Sequence, residues 1–399
     1  MKDTILKKRI MFVDDEPKVL DGLRRMLHVM RNEWDMVFAP DTDTALNLLK
    51  EKPFDVIVSD MRMPGKDGVQ LLSEVKDLYP GMVRFILSGH ADKALIIRSM
   101  GPTHQFLSKP CDTEVLKNTI SRALALREVF HGERLMKLVK DTSSLPTLPE
   151  LYQKLHNVLN SPKSSMKEVA EIISSDVAMT AKILQLVNSA FFALPTHIDS
   201  IAQAVSLLGI ETINSIVFTT SVFDKFDENQ ATVFKIRDMY NHSIGVGTYA
   251  ARIIKHQLKD QKMAEEATFA GMVHDVGKLV MIKSQNEIWQ EAFKKAINQK
   301  KPLYLFEKES LGITHAEIGA YLLGLWGLSD NIVEAVAFHH EPSKSVNQEF
   351  GSITAVHLAN QFQGQSANGG KDRAIDSDYI TNLKLEDKLP DFEAVCKNE

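Results

Sequence analysis

The chain has 399 residues, of which 44% are hydrophobic and 25% are charged, and its formal net charge is −5. This length exceeds one ordinary hydrophobic core, so we expect two or three domains. The acidic balance gives no general attraction to nucleic acid or to anionic membranes. The two cysteines, Cys111 and Cys396, lie far apart, which argues against a disulfide framework. Because the sequence has no long apolar segment, we expect a cytoplasmic protein.

Short apolar runs alternate with helical patterns over the first third of the chain. The third run, residues 54–60, is rich in β-branched residues and ends at Asp60. Such a run predicts a strand that is buried on both faces, as in a parallel sheet. The alternation predicts a flavodoxin-like α/β domain with a five-stranded parallel sheet. The predicted strands cover residues 10–13, 36–39, 54–60, 83–87 and 105–108.

Polar residues follow these strands at the points where they end. Asp14 and Asp15 follow the first strand, Asp60 ends the third, Ser88 follows the fourth and Lys109 follows the fifth. In a doubly wound sheet these positions share one edge, so the side chains can converge. Three neighbouring carboxylates repel one another unless a divalent cation lies among them, and Mg²⁺ suits that arrangement. The lysine ammonium and the serine hydroxyl are suited to bind the oxygens of a phosphoryl group that Asp60 accepts.

This pattern resembles the receiver domain of two-component response regulators, over about residues 8–128. The resemblance implies that Asp60 is phosphorylated by a histidine kinase or a phosphotransfer protein. It also implies a Mg²⁺ site formed by Asp14, Asp15, Asp60 and the Arg62 carbonyl. The motifs that carry the resemblance are VDDEP at 13–17, SDMRMPGKDG at 59–68, LSGH at 87–90 and FLSKP at 106–110.

The same resemblance assigns roles to residues around the phosphorylation site. Ser88 and Phe106 would form a switch pair, in which the hydroxyl moves toward the phosphoryl group and the ring turns inward. A cis peptide bond before Pro110 would direct Lys109 to the site.

Helical periodicity continues from Asp112 toward residue 142 with no glycine or proline before Gly132. We therefore expect a helical connector over residues 112–142, and pairing with a second copy through its apolar stripe remains an alternative. The polar, proline-rich stretch at 141–149 marks a domain boundary. From Glu150 onward helical spacing dominates, which predicts an all-α region, including a helix that ends at Gly209.

Histidines are the chemically distinctive residues of this helical region. Imidazoles and a carboxylate on facing helices are what a metal site of one or two ions needs. The HDVGK segment at 274–278 resembles the signature of the HD phosphohydrolases, in which two metal ions can activate water and bind a phosphodiester. The candidate ligands are His242, His274, Asp275, His315, His339 and His340.

Two departures weaken the resemblance to an enzyme. The HD superfamily usually supplies a late aspartate, and the nearest substitute here is Asn360, a poorer ligand for a divalent cation. The cyclic-di-GMP phosphodiesterases of the HD-GYP branch carry Gly-Tyr-Pro after the histidine pair, whereas His339-His340-Glu341-Pro342 is followed here by Ser343-Lys344-Ser345.

Other motifs of this region resemble the HDOD domain, a degenerate relative of the HD superfamily that is usually regulatory. The resemblance covers about residues 143–345 and rests on the segments 145–149, 183–192, 200–209, 326–328 and 339–342. It implies a binding module in which the histidines are remnants of a metal site.

Together these patterns predict a phosphorelay response regulator with a receiver at 1–128, a connector at 112–142 and an HDOD-like output region at 143–399. The competing hypothesis is a phosphorylation-gated, metal-dependent phosphohydrolase that acts on cyclic-di-GMP or another nucleotide. Direct DNA binding is not expected, because the chain is acidic and offers no basic recognition helix.

Overall fold

A computed structural model describes residues 7–89, 102–129, 145–147, 149–159, 164–188, 198–219, 223–225, 236–363 and 375–397. The chain divides into two compact units near residue 143.

The first unit contains a parallel five-stranded sheet in the order β2-β1-β3-β4-β5. This confirms the predicted fold, and the order is that of flavodoxin-like proteins. Every residue of β3 is buried, because helices cover both faces of such a sheet. The strands are β1 (Lys8–Val13), β2 (Trp34–Ala39), β3 (Val56–Asp60), β4 (Val83–Ser88) and β5 (Gln105–Ser108).

Two helices of this unit, α2 (Thr42–Glu51) and α3 (Gly68–Leu78), begin next to aspartate side chains that accept hydrogen bonds from free backbone N–H groups. Asp41 accepts a hydrogen bond from the Thr44 N–H at 2.7 Å, and Asp67 forms a capping box with Gln70. The predicted connector is helical as far as Val129, and its remaining residues lie outside the described part of the chain. The helices are α1 (Pro17–Met26), α2 (Thr42–Glu51), α3 (Gly68–Leu78) and α4 (Thr113–Val129).

The second unit is mostly helical, as predicted, but it also contains two short strands, β6 (Leu145–Thr147) and β7 (Phe223–Lys225), which pair in parallel. Strands of three residues are too short to show a period of two, so the sequence gives no sign of them. The first helices are α5 (Pro149–Leu159), α6 (Met166–Ser174), α7 (Val177–Val187) and α8 (Ile201–Thr219). Gly209 has a φ of 73° and kinks α8 where the sequence predicts a helix end.

The remaining helices carry the histidines. They are α9 (Ile236–Leu258), α10 (Gln261–Val273), α11 (Val276–Gln299), α12 (Leu303–Leu311), α13 (His315–Leu325), α14 (Asp330–Phe338), α15 (Ser352–Phe362), α16 (Ser377–Asn382) and α17 (Leu389–Lys397). A Cβ on Gly271 would lie 2.7 Å from the Gly247 Cα, so α9 and α10 pack backbone against backbone. Within the described residues, no helix combines the length and apolarity that crossing a bilayer requires.

Candidate functional sites

The first candidate site lies at the carboxyl edge of the parallel sheet. Register sets this edge, because Val13 of β1 aligns with Ser59 of β3, and Asp60 aligns with Leu87 of β4. The residues that end or follow these strands therefore emerge side by side, as the sequence predicts.

Lys109 joins two buried carboxylates at this edge. Its Nζ donates to Asp14 Oδ2 at 2.6 Å and also to Asp60 Oδ1. The second oxygen of Asp60 accepts the Arg62 N–H at 2.7 Å. Burial raises the pKa of Asp60, although Lys109 opposes that effect. Burial alone would lower the pKa of Lys109, but its bonds to the two aspartates outweigh burial and raise it.

The other predicted residues of this site include Ser88, Phe106 and Asp15. The Ser88 hydroxyl lies 3.7 Å from the Met61 sulfur, and the Phe106 side chain is buried within β5. Asp15 is exposed beside the site. The Lys109-Pro110 bond is cis, as expected.

The donor set of this edge fits a magnesium ion. Asp14 and Asp60 are 1% and 8% exposed, and they share the single ammonium of Lys109. This leaves an excess of carboxylate charge, to which the exposed Asp15 adds. Oxygen ligands with access to water are what Mg²⁺ prefers.

The second candidate site, which we call the histidine cluster, consists of His242, His274, Asp275, His315, His339 and His340. Helix ends position most of it: His274 and Asp275 lie between α10 and α11, and His315 begins α13. The structure thus brings together all six residues that the sequence suggests as metal ligands. Two sets of three ligand atoms lie within 4.8 Å of one another, namely those of His242, His274 and Asp275 and those of His315, His339 and His340.

Asp275 lies at the centre of the cluster. Its Oδ2 is 3.4 Å from His274 Nε2, while its Oδ1 is 3.3 Å from His315 Nε2 and 4.0 Å from His339 Nε2. The Nδ1 atoms of His274 and His339 donate to carbonyl oxygens at 2.6 and 2.8 Å, so their Nε2 atoms are free to act as ligands.

Four buried polar atoms of the cluster have no hydrogen-bond partner among the described residues. They are His242 Nδ1, His274 Nε2, Asp275 Oδ1 and His339 Nε2. Leaving such atoms unpaired in a protein interior costs roughly 1–3 kcal/mol each. Their grouping at one point is suited to a ligand that they would share.

Electrostatics divide the histidines into neutral and charged members. Burial lowers the pKa of His242 to about 3, and it lowers the pKa of His339 and of His340 as well. Burial would also lower the pKa of His315, but the neighbouring Glu307 carboxylate reverses this and raises it to about 9. Burial opposes the charged form of Asp275, yet His274 and the Lys278 ammonium lower its pKa.

The donor set fits one transition metal ion better than a pair of ions. Imidazoles predominate, which favours zinc, iron, nickel or copper over magnesium. Asp275 is the sole carboxylate among the six, and Lys278 Nζ bonds its Oδ2 at 2.7 Å. Asn360 lies at the predicted place, with its Oδ1 3.0 Å from His242 Nε2, and adds no charge. One carboxylate offsets little of the charge of two divalent ions.

Sequence reasoning missed three residues that surround the cluster. Glu307 contacts His315, Trp289 contacts Glu307, and His357 donates its Nδ1–H to the His339 carbonyl at 2.8 Å. The helical spacing that predicts their burial gives no sign of these long-range contacts.

Family comparisons agree with both halves of the chain. A response regulator receiver domain model matches residues 10–121, and an HDOD domain model matches residues 145–342. The chain therefore contains a response regulator receiver domain followed by an HDOD domain.

Individual proteins that resemble this chain share 23–28% sequence identity with it. An uncharacterized protein of Treponema pallidum is 23% identical over 61% of this chain and 47% of its own length. The C4-dicarboxylate transport transcriptional regulatory protein DctD of Pseudomonas aeruginosa is 28% identical over 45% of this chain and 36% of its own length. The chain thus spans less than half the length of these relatives. The crystal structure of a virulence factor from Campylobacter jejuni is 26% identical, with a TM-score of 0.51, over 65% of this chain and 92% of that chain.

Proposed function

We propose that Asp60 accepts a phosphoryl group from a histidine kinase or phosphotransfer protein, and that the HDOD domain responds by changing what it binds. The observation that carries this proposal is the buried Asp60 carboxylate, which Lys109 joins to Asp14 at the sheet edge. A carboxylate held in this way is oriented for attack and lies next to a fixed positive charge.

Phosphoryl transfer uses these side chains directly. An Asp60 oxygen attacks phosphorus, the P–N bond of the donor phosphohistidine breaks, and its electron pair returns to the imidazole nitrogen. Lys109 stays beside the phosphoryl oxygens, and the Ser88 hydroxyl turns from Met61 toward them. Mg²⁺ held by Asp14, Asp15, Asp60 and the Arg62 carbonyl would supply further neutralising charge.

A small phosphodonor tests this proposal. With acetyl phosphate and Mg²⁺, the full chain is expected to gain one hydroxylamine-sensitive phosphoryl group, measured by intact mass. Asp60→Asn is expected to gain none. Asp77→Asn alters an exposed aspartate of α3 and is expected to behave like the wild type. Undiminished labelling of Asp60→Asn would refute the assignment.

The contacts of α4 support a route for the signal. Arg127 donates to both the backbone carbonyl and the side chain of Asp55, at 3.2 and 2.7 Å. Asp55 directly precedes β3, the strand that ends at Asp60. We therefore assign phosphorylation to residues 1–128, transmission to 112–142 and output to 143–399, with phosphorylation shifting an existing equilibrium.

The histidine cluster favours a second candidate function, metal-dependent phosphodiester hydrolysis. Its support is the group of four unpaired buried ligand atoms. Because the cluster has a single carboxylate and Asn360 is neutral, metal binding without hydrolysis is the stronger proposal. Metal analysis and a cyclic-di-GMP hydrolysis assay separate the two. Hydrolysis that His274→Ala abolishes would replace the binding role with an enzymatic one.

A further inference from the structure

Glu307 is a fully buried carboxylate on α12, and three N–H groups donate to it. Its Oε1 accepts the Trp289 Nε1–H at 2.8 Å. Its Oε2 accepts the backbone N–H of His315 at 2.9 Å and the ring Nδ1–H of the same residue at 2.6 Å. Glu307 and His315 are both 0% exposed. Because desolvating a carboxylate is costly, this position tolerates one only through such a complete set of donors.

The bond to Nδ1 determines which nitrogen His315 presents to the histidine cluster. With its Nδ1–H directed at Glu307, the ring places Nε2 3.3 Å from Asp275 Oδ1 and 3.0 Å from His340 Nε2. A carboxylate that fixes the tautomer and orientation of a ligand histidine also raises the basicity of its other nitrogen.

We propose that Glu307 is a positioning residue that holds His315 Nε2 toward the histidine cluster and thereby raises the cluster's affinity for a divalent transition metal ion. This inference rests on the metal-binding role proposed above. Trp289 extends the arrangement, because it lies on α11, the helix that begins just after Asp275. The left-handed Gly312, with a φ of 73°, ends α12 and lets the chain turn into α13, which begins at His315.

A purely structural role for Glu307 makes a different prediction. If the carboxylate only joins α12 to α13, its loss lowers stability but leaves the metal affinity of the folded protein unchanged. Metal affinity and the tautomer of His315 are therefore the measurements that decide between the roles.

Glu307→Gln is the main test, because glutamine keeps the shape but must point an N–H₂ group at one of the three donors. The full chain is stripped with chelator and titrated with Co²⁺, and the visible absorption of the bound ion is recorded. We expect Glu307→Gln to bind about 10- to 100-fold more weakly than the wild type. Glu309→Gln, an exposed glutamate of the same helix, is the matched control and is expected to bind with wild-type affinity.

Two further measurements keep the test independent of folding. Trp289→Phe removes one hydrogen bond to Glu307 and leaves both bonds to His315, so we expect a smaller loss of affinity. ¹⁵N spectra of the metal-free protein, recorded above pH 9 where His315 is neutral, report the tautomer directly. We expect His315 to carry a proton on Nδ1 in the wild type and to lose this preference in Glu307→Gln.

The outcomes separate this inference from the functions on which it rests. Equal Co²⁺ affinity in wild type and Glu307→Gln would overturn the positioning role and leave the metal site intact. A wild-type protein that binds no Co²⁺ would remove the metal site and the positioning role together. Neither outcome affects phosphorylation of Asp60, which acetyl phosphate labelling measures separately.

Discussion

The Lys109 ammonium competes with a magnesium ion at the receiver site, because it stabilises the same carboxylates that the ion needs. Its side chain is 22% exposed, whereas those of Asp14 and Asp60 are 1% and 11% exposed. Removing one partner of a buried ion pair costs about 3–5 kcal/mol, and the partial exposure of the lysine reduces this figure. The ammonium therefore serves as a built-in counterion when no divalent cation is present.

We expect Lys109→Gln to lower the free energy of unfolding of the receiver by about 2 kcal/mol in magnesium-free buffer, since two carboxylates are then left without a cation. Added Mg²⁺ is expected to restore more stability to the variant than to the wild type, because no ammonium competes with the ion. Urea titrations followed by Trp34 fluorescence, with the other two tryptophans replaced by phenylalanine in every protein, measure both effects.

Lys66→Gln is the control for this comparison. Lys66 pairs with Glu74 at 2.6 Å, and the two side chains are 34% and 43% exposed. A pair this exposed contributes about 0–1 kcal/mol, with no expected dependence on Mg²⁺. An equal response to Mg²⁺ in wild type and Lys109→Gln would contradict the competition.

At the residue scale, the sequence indicates which side chains form a site better than it indicates how those side chains are oriented. Asp14, Asp60 and Lys109 converge as expected, because a parallel sheet aligns the ends of its strands. The contact of Ser88 with Met61 and the exposure of Asp15 depend on rotamers and loop geometry, which a sequence pattern does not specify. The role of Glu307 could not be predicted for another reason: nothing near it in the sequence marks it as the partner of His315.

At the scale of elements, Gly277 determines how closely α11 and α13 approach. A Cβ at this position would overlap the His315 carbonyl oxygen and lie 2.9 Å from the Gly319 nitrogen. The two helices therefore meet backbone to backbone beside the histidine cluster. This close contact brings the first residue of α13 within reach of Asp275.

We expect Gly277→Ala to destabilise the HDOD region by about 1–3 kcal/mol, because the added methyl group forces the two helices apart. Co²⁺ binding should weaken as well, since His315 moves with α13. Calorimetry and the Co²⁺ titration measure these effects. Alanine normally stabilises a helix interior relative to glycine. A loss of stability in Gly277→Ala would therefore identify the close contact between the two helices.

Gly22→Ala provides that comparison within α1, where nothing lies within 4 Å of the added Cβ. It is expected to stabilise the receiver by about 0.5–1 kcal/mol. A stabilising Gly277→Ala would show that the helices do not need this contact. The helices themselves follow from apolar spacing, whereas the contact between them, like the pairing of β6 with β7, depends on the tertiary fold.

At the scale of the whole molecule, the ionisable groups of the two candidate sites lie in different surroundings. The receiver site opens to solvent through Asp15 and Lys109, whereas the histidine cluster is buried, with His315 charged and His242 neutral. Titration of the cluster is therefore linked to folding of the HDOD region.

This linkage predicts a stability maximum near pH 6.5 in the presence of chelator. The unfolded chain binds more protons than the native chain between about pH 3, the pKa of buried His242, and the ordinary histidine pKa of 6.5, so acid lowers stability. The sign reverses for His315, because its pKa is raised to about 9 and the native chain holds the extra proton between pH 6.5 and 9. That contribution is lost as pH rises, by at most about 3 kcal/mol.

Denaturant midpoints of a variant that carries Trp34→Phe and Trp326→Phe measure this curve, because its remaining tryptophan, Trp289, lies on α11 within residues 145–342. We expect the midpoint to fall between pH 6.5 and 9. Adding Glu307→Gln should flatten this alkaline limb, because it removes the carboxylate that raises the pKa of His315, and should leave the acid limb in place. A midpoint that stays level from pH 6.5 to 9 would mean that His315 is neutral in the native protein, and that the cluster already has the charge state of a metal ligand set.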